Sequence, residues 1–230
     1  MPKFVVTIDG PAASGKSTVA GLLASRLGAV FLDTGAMYRA VTLAALNAGI
    51  DMANEQELLE VFHKSRFEFL AQQGKMLVRL DGVDITEKIR SIEITANARY
   101  VASAVKVREQ LVLIQRRFAV EHERIVTEGR DQGTVAFCDA DVKFFLTADV
   151  KQRAKRRLAE LPADSDTSID QLEKAISQRD NSDQSRDVGP LKAADDAIVV
   201  DTTNLTIDQV TDKLLGYVTL KGSKSPRIKP

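Results

Sequence analysis

The sequence predicts an α/β protein: a mainly parallel sheet flanked by helices, with a small antiparallel insertion and a short lid. Three observations carry this. Short apolar, β-branched runs alternate with helical periodicity along most of the chain. The stretch GPAASGKST, residues 10–18, joins one such run to one such helix. In the middle, three period-2 segments separated by turn residues interrupt the alternation.

Phe4 to Ile8 (FVVTI) reads as a strand buried on both faces. A helix is expected from Lys16 to about Leu27, with Val19, Leu22, Leu23 and Leu27 on one face and Gly28 as a left-handed cap. Ala29 to Leu32 reads as a second strand, followed by DTGAMYR and an alanine-rich helix ending near Gly49. Those alanines suit close helix packing. Asn54 and Glu57 form a cap pair for ELLEVFH. RFEFL, MLVRL and VDI then alternate, separated by QQGK and DG, and read as a meander inserted at about 62–90. Helical spacing returns at Val107, Leu111, Ile114 and Phe118. Core strands are expected at Ile125 to Thr127, Val142 to Leu146 and Ala197 to Val200, with helices between and after them. LPADSDTS (161–168) is a polar loop and the basic end, 221–230, a loose tail.

The 230 residues suit one domain with insertions. Basic and acidic residues cancel at 32 each, so no global field favours nucleic acid or an anionic membrane. Cys138 is the one cysteine, which excludes an internal disulfide and a cysteine zinc cluster. His63 and His122 lack ligand spacing. The start, MPKFVVTIDG, has no signal-peptide pattern, and no apolar stretch approaches the roughly 20 residues of a membrane span. A cytoplasmic monomer is expected.

Gly10, Gly15, Lys16 and Ser17 complete the pattern G-x-x-x-x-G-K-[ST]. Glycines let backbone N–H groups curl around an anion, and the helix N-terminus adds its dipole. The loop residues Gly10, Pro11, Ala12, Ala13, Ser14, Gly15, Lys16, Ser17 and Thr18 are therefore expected around the phosphates of ATP. Lys16 would reach the β- and γ-phosphates, and Ser17 would hold Mg2+. A GTPase would also carry N-K-x-D; TTNLTID is the nearest late candidate and lacks the lysine.

Further arginines gather where ligands meet such a sheet. DTGAMYR and EGRD follow strands, which places Arg39 and Arg130 at strand-end turns. RAKRR sets Arg153 and Arg157 on one helix face, and RDNSDQSR adds Arg179, Asp183 and Arg186. So many cations near one phosphate loop suggest two phosphorylated ligands, donor and acceptor. A monophosphate acceptor is already largely ionised near neutral pH, so its transfer needs no obligatory base.

The stretches TIDGPAASGKST, FLDTGAMYRAVTLAAL, VREQLVLIQR, EGRDQGTVAF, RAKRR, RDNSDQSR and PLKAADDAIVVDTTNLT occur in this order, and with them the chain closely resembles bacterial cytidylate kinases to about Val218. The resemblance implies a P-loop kinase that transfers the ATP γ-phosphate to CMP or dCMP. It implies a nucleotide core (1–35 and 106–220), an acceptor region (36–105) and a lid (about 152–168). Carried over, Thr34, Tyr38 and Arg39 shape the acceptor pocket, with Arg39 and Arg130 on the acceptor phosphate. Arg108 and Asp131 read cytosine, whose exocyclic amine suits a carboxylate. Arg179 and Asp183 contact ribose and phosphate, Arg186 lies near the transferring group, and Arg153 and Arg157 close over ATP. Lys16, Arg130, Arg153, Arg157 and Arg186 are thus the expected catalytic set. DTTNLT would line the adenine pocket through its backbone. Arg99 stands where the pattern has a serine, which weakens the expected base contact from that helix. Val105 and Cys138 stand where it has prolines, and Cys138 is expected to be packed.

Overall fold

The computed structural model describes residues 4–72, 75–161 and 167–222, with side chains as far as 220. Five parallel strands form its centre: β1 (Phe4–Asp9), β2 (Val30–Asp33), β6 (Arg124–Gly129), β7 (Val142–Thr147) and β8 (Ile198–Asp201), in the order β2-β6-β1-β7-β8. Val5 sits opposite Ile125 and Val6 opposite Val126, so successive side chains enter opposite faces in register. Val6, Ile8, Phe31, Val126 and Leu146 pack against α1 (Lys16–Leu27) and α8 (Ile207–Gly222). Val5, Leu32 and Ile125 pack on the other side against α2 (Thr34–Ala48), α3 (Glu55–Lys64) and α5 (Val105–Val120). This two-sided burial explains the unbroken apolar runs.

α1 has the expected bounds, and Gly28 closes it at φ 59°. Leu22 does not join the buried face. The face pressed on the sheet and α8 is Val19, Ala20, Leu23 and Ala24, which leaves Leu22 exposed. α2 begins sooner than expected: the Asp33 side chain accepts from Ala36 N at 2.8 Å, so DTGAMYR is already helix and Arg39 rides on its second turn. Ala36, Ala40, Ala44 and Ala45 are buried, and α4 (Ile92–Ser103) packs closely on this helix.

The meander is β3 (Phe67–Gln72), β4 (Lys75–Leu80) and β5 (Val83–Asp84), antiparallel. It starts later than 62, because α3 continues to Lys64 to bury Leu58 and Phe62. Asp81 (φ 50°) and Gly82 (φ 83°) make the two-residue hairpin turn. A 3-10 turn, Lys88–Arg90, leads into α4, a helix the apolar spacing did not announce; the Ser91 side chain caps it by accepting from Ile94 N. Val105 is the first residue of α5, a position that suits proline, so its presence leaves the helix start in place.

No α-helix lies between β6 and β7, contrary to expectation. A five-residue π-turn, Gln132–Ala136, makes that connection. Cys138 follows it and is exposed rather than packed; its carbonyl, not its thiol, is engaged, accepting from Lys143 Nζ. α6 (Val150–Ala159) and α7 (Ile169–Gln184) complete the fold. Most of the expected 161–168 loop and the tail beyond 222 lie outside the described residues. No helix among those described is long and apolar enough to cross a membrane.

Candidate active site

Three strand ends, those of β1, β6 and β2, meet at one rim of the sheet, and each delivers a different part of the site. β1 delivers the phosphate loop. Its Gly10 passes so close to the Leu146 carbonyl that a Cβ would overlap it, and Gly15 starts α1 from the left-handed region at φ 87°. Lys16 folds back over the loop and donates to Pro11 O at 2.8 Å. Burial, and after it the charge of Arg130, brings Lys16 down from the ordinary lysine value to about 7. An arriving phosphate would supply the missing counter-charge. Ser14 Oγ is buried without a partner in the same loop.

β6 delivers Glu128, Arg130 and Asp131. Glu128 Oε1 accepts from Ser17 Oγ at 3.0 Å, and the Glu128 carbonyl accepts from Thr34 Oγ1 at 2.7 Å. Burial pushes the Glu128 carboxyl up, with Lys16 opposing. Arg130 Nε donates to Asp183 Oδ2 at 2.7 Å, and Arg186 pairs with the other oxygen of the same carboxylate. Burial alone would raise Asp183, yet Arg130 and Arg186 hold it below the ordinary carboxylate range. Arg179 stands on the open side of α7, its side chain partly in solvent. Desolvation and then the charge of Arg130 lower it to about 10, with Asp183 opposing.

Beside this cluster lies a buried pair, Arg108 with Asp131, whose side chains are 4% and 6% exposed. Arg108 also donates to Ala102 O at 3.1 Å, and its guanidinium lies 5.6 Å from the centre of the Tyr38 ring. Burial raises Asp131, while Arg108 and Arg186 pull it down. Burial also drives Tyr38 up to about 12. Across the rim, β2 ends in Asp33, whose Oδ2 accepts from Arg39 at 3.4 Å and from Arg90 at 3.3 Å.

Lys16, Ser17, Thr34, Tyr38, Arg39, Arg108, Arg130, Asp131, Arg179, Asp183 and Arg186 therefore gather in one connected cluster at this rim. The two arginines expected on a lid, Arg153 and Arg157, part company. Arg153 is buried, donating to Ala148 O and Ala12 O and pairing with Asp180 at 2.6 Å, so it ties α6 and α7 to the phosphate loop. Arg157 pairs with Glu160 at the surface. The residue just before it, Arg156, reaches the hydroxyl and carbonyl of Thr202. Thr202 Oγ1 in turn lies on Ser14 O at 3.2 Å, so DTTNLT borders the loop.

A family model described as cytidylate kinase matches residues 6–220. The chain belongs to the cytidylate kinase family. It is 45% identical over 217 residues to the cytidylate kinases of Bacillus thuringiensis (strain Al Hakam) and Bacillus anthracis (strain CDC 684 / NRRL 3495), covering 94% of this chain and 96% of each relative. A gluconokinase from Sinorhizobium meliloti 1021 shares the fold at 12% identity, with a TM-score of 0.50 over 96% of this chain and 95% of that one.

Within this cytidylate kinase family member, sequence reasoning passed over Asp9, Asp33, Arg90, Glu128 and Gly189. Asp9 is buried and accepts from Gln132 N at 2.9 Å and Gly133 N at 2.7 Å, which fixes the segment bearing Arg130 and Asp131 to the phosphate-loop strand. Asp9, Asp33 and Glu128 each stand at a strand's carboxyl end, and that placement was a usable signal. Arg90 and Gly189 reach the cleft from distant segments and gave none.

Proposed function

We propose that this protein transfers the γ-phosphate of ATP to CMP or dCMP, giving ADP and CDP or dCDP. The observation that carries the reading is the buried Arg108–Asp131 pair beside Tyr38, opening on the same cleft as the Lys16 loop and its arginine cluster. In this reading Asp131, with one oxygen on Arg108, accepts from the exocyclic amine of cytosine with the other. Uracil presents an oxygen there, which would face the carboxylate unpaired. Arg39 and Arg130 take the acceptor phosphate, Arg179 and Asp183 the ribose and phosphate, and Thr34 and Tyr38 line the pocket.

The acceptor oxygen attacks the γ-phosphorus in line, and the bond to the β-phosphate oxygen breaks. No general base is required, because the acceptor phosphate is already ionised at neutral pH. Lys16, Arg130 and Arg186 hold the two anions together against their repulsion and stabilise the charge spread over the transferring group. Arg153 braces the loop through Ala12 rather than acting as a free cation. The backbone of DTTNLT borders the adenine.

The residues also fit Mg2+. Among the described residues no three His, Cys, Asp or Glu converge, so the protein alone builds no full metal cage. A Ser17 hydroxyl beside Glu128 is the sparse donor set expected where substrate phosphates and water complete the coordination. When bound, the ion would neutralise charge between the β- and γ-phosphates. The same reading takes the protein to be a cytoplasmic monomer whose partners are small nucleotides, not nucleic acid or membrane.

The test is ADP formation from ATP with magnesium, offering CMP, dCMP, UMP, AMP and shikimate singly. Stimulation by CMP and dCMP far above the others supports the reading. Equal rates with all five, or slow hydrolysis indifferent to every acceptor, would reject it.

A further inference from the structure

After α7 the chain turns back through DVGPL, residues 187–191. Leu191 N donates to Asp183 O at 2.8 Å and the Leu191 side chain is buried, so the turn is pinned at its far end. Between these anchors Gly189 is buried at φ +61°. A Cβ built there would overlap both Arg108 Nη2 and Asp131 Oδ2. The backbone of this turn is thus in contact with the two atoms that join the base-reading pair. Arg108 Nε, in the same buried pocket, has no partner. Arg99, where the family pattern has a serine, is exposed and lies 4.9 Å over the Tyr100 ring. The 187–191 turn, by contrast, presses bare backbone on the pair.

We propose that Gly189 is a specificity-determining position: the absence of a side chain lets the 187–191 turn close on Arg108 and Asp131, holding one carboxylate oxygen on the guanidinium and leaving the other for the amino group of the acceptor base. The proposal rests on the cytosine reading above. A methyl group at 189 pushes the turn outward or separates the pair, and either change loosens the choice between an amino group and an oxo group on the ring.

The experiment compares Gly189→Ala with two other variants. Gly28→Ala carries the same left-handed backbone cost at φ +59°, with nothing within 4 Å of the added methyl, and so controls for strain. Asp131→Asn tests the cytosine reading itself. For Gly189→Ala the CMP-over-UMP ratio of kcat/KM should fall about 10-fold or more, mostly through KM for CMP, with KM for ATP within about twofold. Gly28→Ala should keep the wild-type ratio. If Asp131→Asn collapses the ratio and Gly189→Ala leaves it unchanged, the proposal is overturned and the cytosine reading stands. If neither variant changes it, the cytosine reading fails and takes the proposal with it. Should Gly189→Ala not fold, amide exchange in the wild-type protein decides. Protection of the 187–191 amides by saturating CMP well beyond that by UMP supports the proposal, and equal protection overturns it.

Discussion

Asp183→Asn isolates the electrostatic logic of the cleft. The carboxylate holds Arg130 through Oδ2 at 2.7 Å and Arg186 through Oδ1, and the three side chains are only 4%, 17% and 11% exposed, so these are not surface pairs. Hydrogen bonds to charged groups contribute about 1.5–3 kcal/mol each. Asparagine keeps one acceptor oxygen, so about half of the combined value, roughly 2 kcal/mol, should be lost. For a chain of this length that is a fall in Tm of about 4–8 °C. The loss should depend on pH with a definite sign. Asp183 is held below the ordinary carboxylate value, so its contribution is complete above about 4 and disappears as pH falls through the folded value. Wild type and variant should therefore converge in acid. They should also converge when phosphate ligands arrive, because a bound anion supplies the charge that the variant lacks. Urea titrations at pH 7 and pH 3, and at pH 7 with saturating ADP, measure all three. A deficit below 1 kcal/mol at pH 7, or one that ligand and acid leave unchanged, would refute the account of Asp183 as counter-ion to the cluster.

Glu128→Gln should lower kcat by about 100-fold and raise the magnesium needed for half-maximal rate, with KM for CMP within about threefold, read from initial rates over a magnesium series. Arg153→Met should cost about 3–5 kcal/mol in urea unfolding, because Asp180 is left buried and unpaired, whereas Arg157→Met should cost under about 0.5 kcal/mol. Asp9 is raised to about 7, chiefly by burial, so the folded state holds its proton between about 4 and 7 where the unfolded chain does not. Stability should fall across that window as pH rises, by up to about 4 kcal/mol, and Asp9→Asn should remove the slope in urea midpoints taken from pH 4.5 to 8.

The parts of this molecule that sequence conveyed were those governed by neighbours along the chain. The phosphate loop is such a part, because Gly10, Gly15 and Lys16 act through local backbone geometry. So are the left-handed closure at Gly28, the Asn54 cap and the Asp81-Gly82 turn. What escaped depends on pairings across the fold. Leu22 matches the apolar spacing, yet α8 sets which stripe of α1 is covered. The 92–103 helix carries isoleucine, threonine and asparagine, and its existence rests on packing against α2. The π-turn after β6 exists because Asp9, on another strand, takes two of its N–H groups. In the site, the arginines other than Arg90 were legible but their division of labour was not. Arg153 and Arg157 share a motif and a spacing, and only the arrival of Asp180 and the Ala12 carbonyl makes one a buried brace.

Cys138 is exposed just beyond the segment that starts at Asp131, and it is the chain's single thiol. A maleimide dye placed there would label one atom without any prior removal of cysteines and would leave the Lys143 bond to the backbone intact. The fold thus supplies its own attachment point for fluorescence, seven residues along the chain from Asp131, the carboxylate proposed above to meet the incoming base.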